Sequence, residues 1–111
     1  MRRRLTRLLA SPHLIAAAAA LLSLALYVRT LAPSAMWYDM AEFPTAAYLL
    51  GIGHNTGYPL YLLLGKLFTY LPVGDVAYRV NLLSAVAAAL CVSTVATIVW
   101  HLCQSRVAAL L

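Results

Sequence analysis

Residues 80–105, VNLLSAVAAALCVSTVATIVWHLCQS, contain no Asp, Glu, Lys or Arg. A membrane-spanning helix needs about 20 consecutive, mainly apolar residues, so this stretch can cross a bilayer. Small residues recur in it at intervals of three and four, which favours close packing against other helices. They are Ser84, Ala85, Ala88, Ala89, Ser93 and Thr97. The pattern predicts a transmembrane helix, which we place at residues 79–104.

The composition of the whole chain agrees with this prediction. Of its 111 residues, 64% are hydrophobic and 10% are charged. An average soluble domain is about half apolar and about one quarter charged. A disordered chain needs low hydrophobicity and high charge. Both classes are therefore excluded, and the length suits two or three membrane spans.

A second long apolar stretch, Leu8–Val28, follows a basic head at residues 1–7. As a helix this stretch is about 31 Å long, which matches the hydrocarbon core of a bilayer. We predict a first transmembrane helix over residues 8–32. A cleaved secretory signal peptide is the alternative, because small residues at 32–35 resemble a cleavage point. Arg29 and Pro33 make that region a poor cleavage site.

The positive charges indicate orientation rather than nucleic-acid binding. The net charge is +5, and four of the eight basic residues lie in the head, at Arg2, Arg3, Arg4 and Arg7. No basic stripe continues along the chain, so we expect no nucleic-acid partner. Clustered arginines favour the cytoplasmic side of a membrane. We therefore predict a multi-pass protein of the cell membrane with a cytoplasmic N-terminus and a cytoplasmic, truncated end at 105–111.

The segment between the two spans, residues 33–78, is too apolar for a solvated loop. It predicts two short interfacial helices, at about 43–52 and 58–71, joined by a turn at residues 53–57. A third span over residues 59–72 is the alternative. The predicted fold class is an all-α membrane protein, with two transmembrane helices joined by an outer loop that carries two short helices.

Two of the three acidic residues, Asp39 and Glu42, lie three positions apart in this outer segment. At that spacing they share one face of a helix. Carboxylates at an apolar surface can act as general bases, or as ligands of a divalent cation, for which Asp39 is the first candidate. A helix capping box is the structural alternative. Pro44 complicates it, because counted from an Asp39 cap this proline lies beyond the first turn and would delete a helical hydrogen bond. A helix that starts near Phe43 would instead place Pro44 at its first position.

Three further residues are candidates for substrate contacts or for structural roles. His54 lies in the predicted turn, where it could donate to a phosphate or substrate oxygen, although a lone histidine is usually structural. Arg79 could pair with a lipid phosphate or extend towards headgroups. Asp75 is expected to cap the helix that leads into the second span and could also pair with Arg79.

Three ordered motifs resemble a family of polytopic membrane proteins: TLAPSAMWYDMAEF at residues 30–43, AAYLLGIGHNTGYPLYLLLGKLF at 46–68 and LPVGDVAYRVNLLSA at 71–85. The family is similar to protein O-mannosyltransferases and belongs with the glycosyltransferase-C superfamily. The resemblance implies many transmembrane helices and a first outer loop with an essential acid. It also implies transfer of a sugar from a polyprenyl- or dolichyl-phosphate carrier to an acceptor.

The resemblance assigns roles to particular residues. The family's acid pattern falls on Asp39 and Glu42, which are therefore the expected catalytic residues. Its His-Pro-Pro-Gly-Tyr-Pro turn falls on residues 54–59, with Asn and Thr in place of the two central prolines. His54, Tyr58 and Arg79 are the expected substrate-binding residues. The resemblance implies that Asp39 acts as base on an acceptor hydroxyl or orients it, and that Glu42 supports Asp39.

Two spans and one loop cannot enclose a donor lipid, a sugar and an acceptor together. We therefore expect the N-terminal portion of a larger enzyme, inactive by itself, with membrane lipid, a lipid-linked sugar and the remaining helices as partners. Two alternatives stay open at the level of the sequence. The chain could be a small non-catalytic helical membrane subunit, or a fragment of a transporter whose acids bind ions.

Overall fold

A computed structural model describes residues 11–37 and 39–103, except for the side chain of Asp39. Its regular secondary structure is α-helical, with no strand in these ranges. Its helices are α1 (Pro12–Thr30), α2 (Asp39–Leu49), α3 (Pro59–Phe68) and α4 (Val76–Cys103). The predicted fold class is confirmed. The predicted basic head at 1–7 and the predicted end at 105–111 lie outside the described residues.

α1 and α4 are long and apolar enough to cross a membrane. α1 begins where the Ser11 hydroxyl accepts a hydrogen bond from the Leu14 N–H at 3.3 Å, and Pro12 occupies the first helical position. Serine favours that cap position, and proline is tolerated in the first turn. The number of passes and the orientation stay predictions.

α4 begins at Val76, three residues before the predicted start of the second span. The Asp75 carboxylate accepts a hydrogen bond from the Tyr78 N–H at 2.7 Å, which satisfies an N–H group that lacks a partner inside the helix. The predicted cap by Asp75 is confirmed.

α2 begins at Asp39 and contains Pro44, so it does not start near Phe43. Pro44 has no N–H to donate to the preceding turn, and its buried ring packs in the interior instead. The helix ends at Leu49, before the predicted position 52, because Leu50 adopts a left-handed conformation with φ 55°. The Gly51 N–H then closes the helix end on the Ala46 carbonyl at 2.9 Å.

α3 begins at Pro59 and ends at Phe68, inside the predicted range 58–71. Beyond its end the hydrogen bonds tighten to a spacing of three residues, from Tyr70 to Leu67 and from Leu71 to Phe68. Ten helical residues span about 15 Å, half of the hydrocarbon core. α3 by itself is therefore shorter than a membrane-spanning helix, and the alternative of a third span over residues 59–72 stays untested.

The chain divides into two compact units, of which one is Val28–Ala85. Its core consists of four buried side chains, Ala46, Ala47, Leu62 and Val80, with Phe43 and Tyr61 packed against them. Gly65 of α3 allows α2 to come close, because a Cβ atom there would lie 3.0 Å from the Cβ of Ala47. Small residues thus let two short helices and the start of α4 share one core.

The other unit contains residues 11–27 and 86–103 among those described. Its buried side chains include Ile15 and Ala16 of α1 and Ala89 and Ala96 of α4. Large apolar side chains stay exposed on the same helices, namely Leu21, Leu22, Leu26, Leu90, Val95 and Leu102. Helices with a small-residue face and exposed leucines are typical of membrane-embedded bundles.

Candidate functional site: a glutamate–histidine pair

Glu42 of α2 and His54 of the α2–α3 connection form an ion pair. One carboxylate oxygen of Glu42 accepts a hydrogen bond from the His54 main-chain N–H at 2.6 Å. The other oxygen lies 3.0 Å from the imidazole Nδ1. Both side chains are about 40% exposed, at 42% for His54 and 40% for Glu42. The pair is therefore rigidly joined but open to a ligand.

Aromatic rings hold the imidazole from two directions. The Phe43 ring lies 5.5 Å from the His54 ring, and the Tyr58 ring lies 5.6 Å away, measured between centroids. Phe43 also makes edge-to-face contacts with Tyr58 and with Tyr61, at 5.2 and 5.4 Å. Such contacts stabilise by about 0.5–1.5 kcal/mol each beyond the burial of area. They restrict the rotation of the imidazole ring.

The local sequence explains how Tyr58 reaches this site. The Gly57 N–H donates to the His54 carbonyl at 2.8 Å and closes the predicted turn. Gly57 and Tyr58 both have positive φ, at 84° and 44°, so the chain reverses immediately before Pro59. Glycine adopts this conformation without steric cost, whereas for tyrosine it is uncommon. The reversal brings Tyr58 against His54 and Phe43.

The two hydrogen bonds also set the charge of Glu42. The bond from the His54 main-chain N–H is the largest cause that lowers the pKa of Glu42 below its ordinary value of 4.5, followed by the bond from the imidazole. Both stabilise the ionised carboxylate. Glu42 is therefore a carboxylate at neutral pH. Although an apolar surface can raise the pKa of a carboxyl group, the pKa of Glu42 is lowered.

Asp39 lies on the first turn of α2, three residues before Glu42, so the structure places both predicted catalytic acids at the same end of one helix. The conformation of the Asp39 side chain is outside the described part. Among the side chains that are described, no three His, Cys, Asp or Glu residues group closely enough to hold a metal ion. A cation ligand at Asp39 stays a prediction.

Arg79 is engaged in a different part of the same unit. Its guanidinium donates three hydrogen bonds to main-chain carbonyls, those of Val73 at 2.7 Å, Thr69 at 2.9 Å and Gly74 at 3.0 Å. All three carbonyls belong to the connection between α3 and α4. The structure thus brings His54 and Tyr58 together with Glu42, whereas Arg79 clamps a turn. The predicted substrate contact of Arg79 stays untested.

Lys66 has a similar internal role. Its ammonium group donates to the Tyr48 carbonyl in the last turn of α2, where a positive charge complements the helix dipole. It also lies 4.9 Å and 5.6 Å from the ring centroids of Tyr48 and Tyr70. Both basic residues between the end of α2 and the first turn of α4, Lys66 and Arg79, therefore make internal contacts.

An open, mainly apolar cleft of about 560 Å³ borders Glu42. It is lined by Ala41, Glu42, Thr45, Ala46, Leu49, Gly51 and Ile52. Pockets that combine apolar walls with a few polar groups are typical of ligand sites. Here the polar side chains that line the cleft are those of Thr45 and of Glu42, whose carboxylate holds His54.

Sequence reasoning missed Phe43 and Tyr61 as parts of this site. Phe43 directly follows Glu42, so its ring was an available candidate on the same turn. Tyr61 offered no such signal, because it reaches Phe43 only through the packing of α3 against α2. The contact between Glu42 and His54 was also not predicted, since their separation of 12 residues carries no periodicity.

Comparisons with known proteins agree with the resemblance. A family model described as the N-terminal domain of protein O-mannosyl-transferase TMEM260 matches residues 39–109, which include both acids, His54, Tyr58 and Arg79. The protein O-mannosyl-transferase TMEM260 of Mus musculus is 49% identical over 76 residues.

The alignment with the mouse protein covers 64% of this chain and 11% of the relative, so the chain spans about a tenth of that protein's length. No solved structure matches significantly. The family model covers more than half of the chain, and its first matched residue is the first residue of α2. The chain therefore belongs to the family defined by the N-terminal domain of protein O-mannosyl-transferase TMEM260.

Proposed function

We propose that this chain is the N-terminal part of an integral-membrane glycosyltransferase of the glycosyltransferase-C type. The full-length protein would move a sugar, mannose by analogy with its relative, from a polyprenyl-phosphate donor to a hydroxyl of an acceptor protein. The observation that carries the proposal is the acidic start of α2, where Glu42 is joined to His54 beside an apolar cleft. Family membership supports the same class of reaction.

The proposed chemistry starts from the acids. Asp39 acts as base on the acceptor hydroxyl or orients it for attack at the anomeric carbon, and Glu42 supports Asp39 from the same helix. Tyr58, whose ring packs against His54, would contact the sugar. The leaving phosphate needs positive charge. Because Arg79 and Lys66 donate to main-chain carbonyls, we assign that charge to parts of the full-length protein outside this chain.

The donor explains why the site would lie at a membrane surface. Two helices are apolar enough to span a bilayer, and the Glu42 cleft is lined mainly by apolar side chains. A polyprenyl chain is itself apolar, so its phosphate end would be presented at the headgroup level. The partners of the full-length protein are accordingly membrane lipid, the lipid-linked sugar and an acceptor protein.

A transfer assay on the full-length gene product in lipid tests this function. Labelled polyprenyl-phosphate sugars serve as donors, and wild type is compared with Asp39→Asn. Asp75→Asn is the matched control, because it makes the same chemical change at an acid that caps α4, and asparagine caps helices about as well as aspartate. We expect transfer by wild type and by the control, and at least a hundredfold loss in Asp39→Asn.

The outcomes separate the parts of the proposal. Equal transfer by wild type and a folded Asp39→Asn would disprove the role of Asp39 and leave the reaction class in place. Absence of transfer with every polyprenyl-phosphate donor, from a folded wild-type protein, would disprove the function itself.

A further inference from the structure

We propose that His54, held by Glu42, is the group that takes the proton from the acceptor hydroxyl, and that Asp39 orients this hydroxyl. The inference rests on the proposed function and deepens it. It makes Glu42 a positioning residue, which acts on the reaction through the imidazole of His54. The observation behind it is the double hydrogen bond between the two residues.

The hydrogen bonds between Glu42 and His54 fix which imidazole nitrogen of His54 carries a proton. Glu42 is ionised, since its pKa is lowered by the hydrogen bonds from His54. An ionised carboxylate accepts hydrogen bonds but cannot donate them. The Nδ1 atom, 3.0 Å from the carboxylate, must therefore be the donor. In the neutral imidazole the proton is then on Nδ1 and the lone pair is on Nε2.

The Nε2 atom lies on the opposite side of the ring from Glu42, and no described residue forms a hydrogen bond with it. Phe43 and Tyr58 hold the ring, yet the His54 side chain stays 42% exposed. The same arrangement, a carboxylate that orients a histidine whose second nitrogen faces the substrate, activates hydroxyl groups in hydrolases. The lone pair on Nε2 is therefore accessible and oriented to accept a proton.

Local charge favours a hydroxyl over a phosphate as the partner of Nε2. The start of α2 carries two acids, whereas Lys66 and Arg79 of the same unit donate to main-chain carbonyls. A phosphate placed there would meet carboxylate charge, whereas a neutral hydroxyl would not. A hydroxyl is also a donor, which complements the lone pair on Nε2.

The proposed step balances in atoms and charge. The acceptor oxygen forms a bond to the anomeric carbon, and its proton moves to Nε2 of His54. The bond between the anomeric carbon and the phosphate oxygen breaks, and the polyprenyl phosphate leaves with the electron pair. The imidazolium that forms is stabilised by the Glu42 carboxylate on its other nitrogen, and it returns its proton to solvent after product release.

The first test is transfer by the full-length protein with His54→Ala, in the presence and absence of added imidazole. We expect a loss of about 10²- to 10⁴-fold, which is typical for removal of a general base, and partial recovery with imidazole. His13→Ala, an exposed histidine of α1, is the matched control and should transfer like wild type with or without imidazole. A merely structural role of His54 would give no recovery by imidazole.

The second test addresses Glu42 through the proton position on His54. In Glu42→Gln the amide oxygen would accept the hydrogen bond from the His54 main-chain N–H, so the amide NH₂ group would face Nδ1. The proton of the neutral imidazole would then move to Nε2, and the lone pair needed for the reaction would be lost. Nitrogen NMR of the histidine-labelled full-length protein in lipid should show Nδ1–H in wild type and Nε2–H in Glu42→Gln. The His54 signal is identified by its absence in His54→Ala.

The results distinguish the inference from the function on which it rests. Near-normal transfer by His54→Ala, or an Nε2–H tautomer in wild type, overturns the inference while the proposed function stands. Loss of transfer in His54→Ala without any recovery by imidazole also overturns it. A wild-type protein that transfers no sugar from any donor overturns both.

Discussion

At the scale of single residues, the charged side chains from α2 to the first turn of α4 make specific contacts in the described part of the chain. Glu42 binds His54, Asp75 caps α4, and Arg79 and Lys66 bind main-chain carbonyls. In a chain with only 10% charged residues, each such contact has few substitutes. Changes at these positions should therefore have separable effects on activity and on stability.

Arg79→Lys is expected to destabilise the protein without changing donor binding. A lysine ammonium cannot match the planar fork that reaches three carbonyls at 2.7, 2.9 and 3.0 Å. Loss of part of this clamp should lower the free energy of unfolding by about 1–3 kcal/mol. Thermal unfolding of the full-length protein and the KM for the donor measure the two effects, with Arg29→Lys as control. A raised KM with unchanged thermal stability would instead show that Arg79 contacts the donor.

Asp75 should make stability depend on acid pH. Its pKa is lowered from the ordinary value of 3.8, first by the hydrogen bond from the Ser34 hydroxyl and then by the bond from the Tyr78 N–H. Because the folded state favours the ionised form, the contribution is complete above the unfolded pKa and is lost as pH falls through the lower folded pKa.

Melting temperatures of the full-length protein at pH 6 and pH 3 test this dependence. Wild type should lose more stability between these two pH values than Asp75→Asn, which cannot ionise at that position. Equal losses would show that Asp75 does not couple protonation to folding.

At the scale of the elements, the end of α2 shows why helix boundaries differed from prediction. Glycine usually takes the left-handed position after a helix, and the prediction ended this helix at about residue 52. The structure gives that position to Leu50, with φ 55°, and uses Gly51 for the closing hydrogen bond. A leucine in this conformation is strained, because its Cβ approaches the following carbonyl oxygen.

Leu50→Gly should therefore stabilise the protein by about 1 kcal/mol, since glycine adopts positive φ without that cost. Ala41→Gly, inside α2, should destabilise by a similar amount, because glycine in a helix interior costs about 1 kcal/mol relative to alanine. Thermal unfolding of both full-length variants measures the opposite signs. A loss of stability in Leu50→Gly would show that contacts of the leucine side chain outweigh the strain.

At the scale of the whole molecule, two apolar helices flank in sequence a segment that carries the candidate site. Many large apolar side chains of α1 and α4 stay exposed, including Leu22 at 75% and Leu102 at 78%. Lipid and the remaining helices of the full-length protein are the expected cover for these surfaces. If α1 crosses the membrane, the candidate site lies on the side opposite to the N-terminus.

A labelling experiment on cells tests that orientation. In a full-length protein with Cys91 and Cys103 replaced by serine, Thr56→Cys lies in the exposed turn beside His54. A maleimide that cannot cross membranes should label it in intact cells. Thr6→Cys, in the basic head, should be labelled only after permeabilisation. The reverse pattern would place the N-terminus outside and the candidate site in the cytoplasm.

The sequence by itself determined the features that depend on composition and local chemistry. Uninterrupted apolar length predicted α1 and α4, glycine spacing predicted the turn before α3, and Asp75 after Pro72-Val73-Gly74 predicted the α4 cap. The ordered motifs indicated the family. These features depend on neighbours within a few residues, or on bulk hydrophobicity, and both can be read from the chain.

Only the tertiary structure decided which partners the polar side chains take. Glu42 binds His54 because α2 packs on α3 through Ala47 and Gly65, which brings the connecting turn back to α2. Arg79 donates to the Thr69 carbonyl because the end of α3 lies within hydrogen-bonding distance of its guanidinium. Such choices depend on distances between segments far apart in sequence. A charged side chain in an apolar surrounding takes whichever partner the packing places within hydrogen-bonding distance.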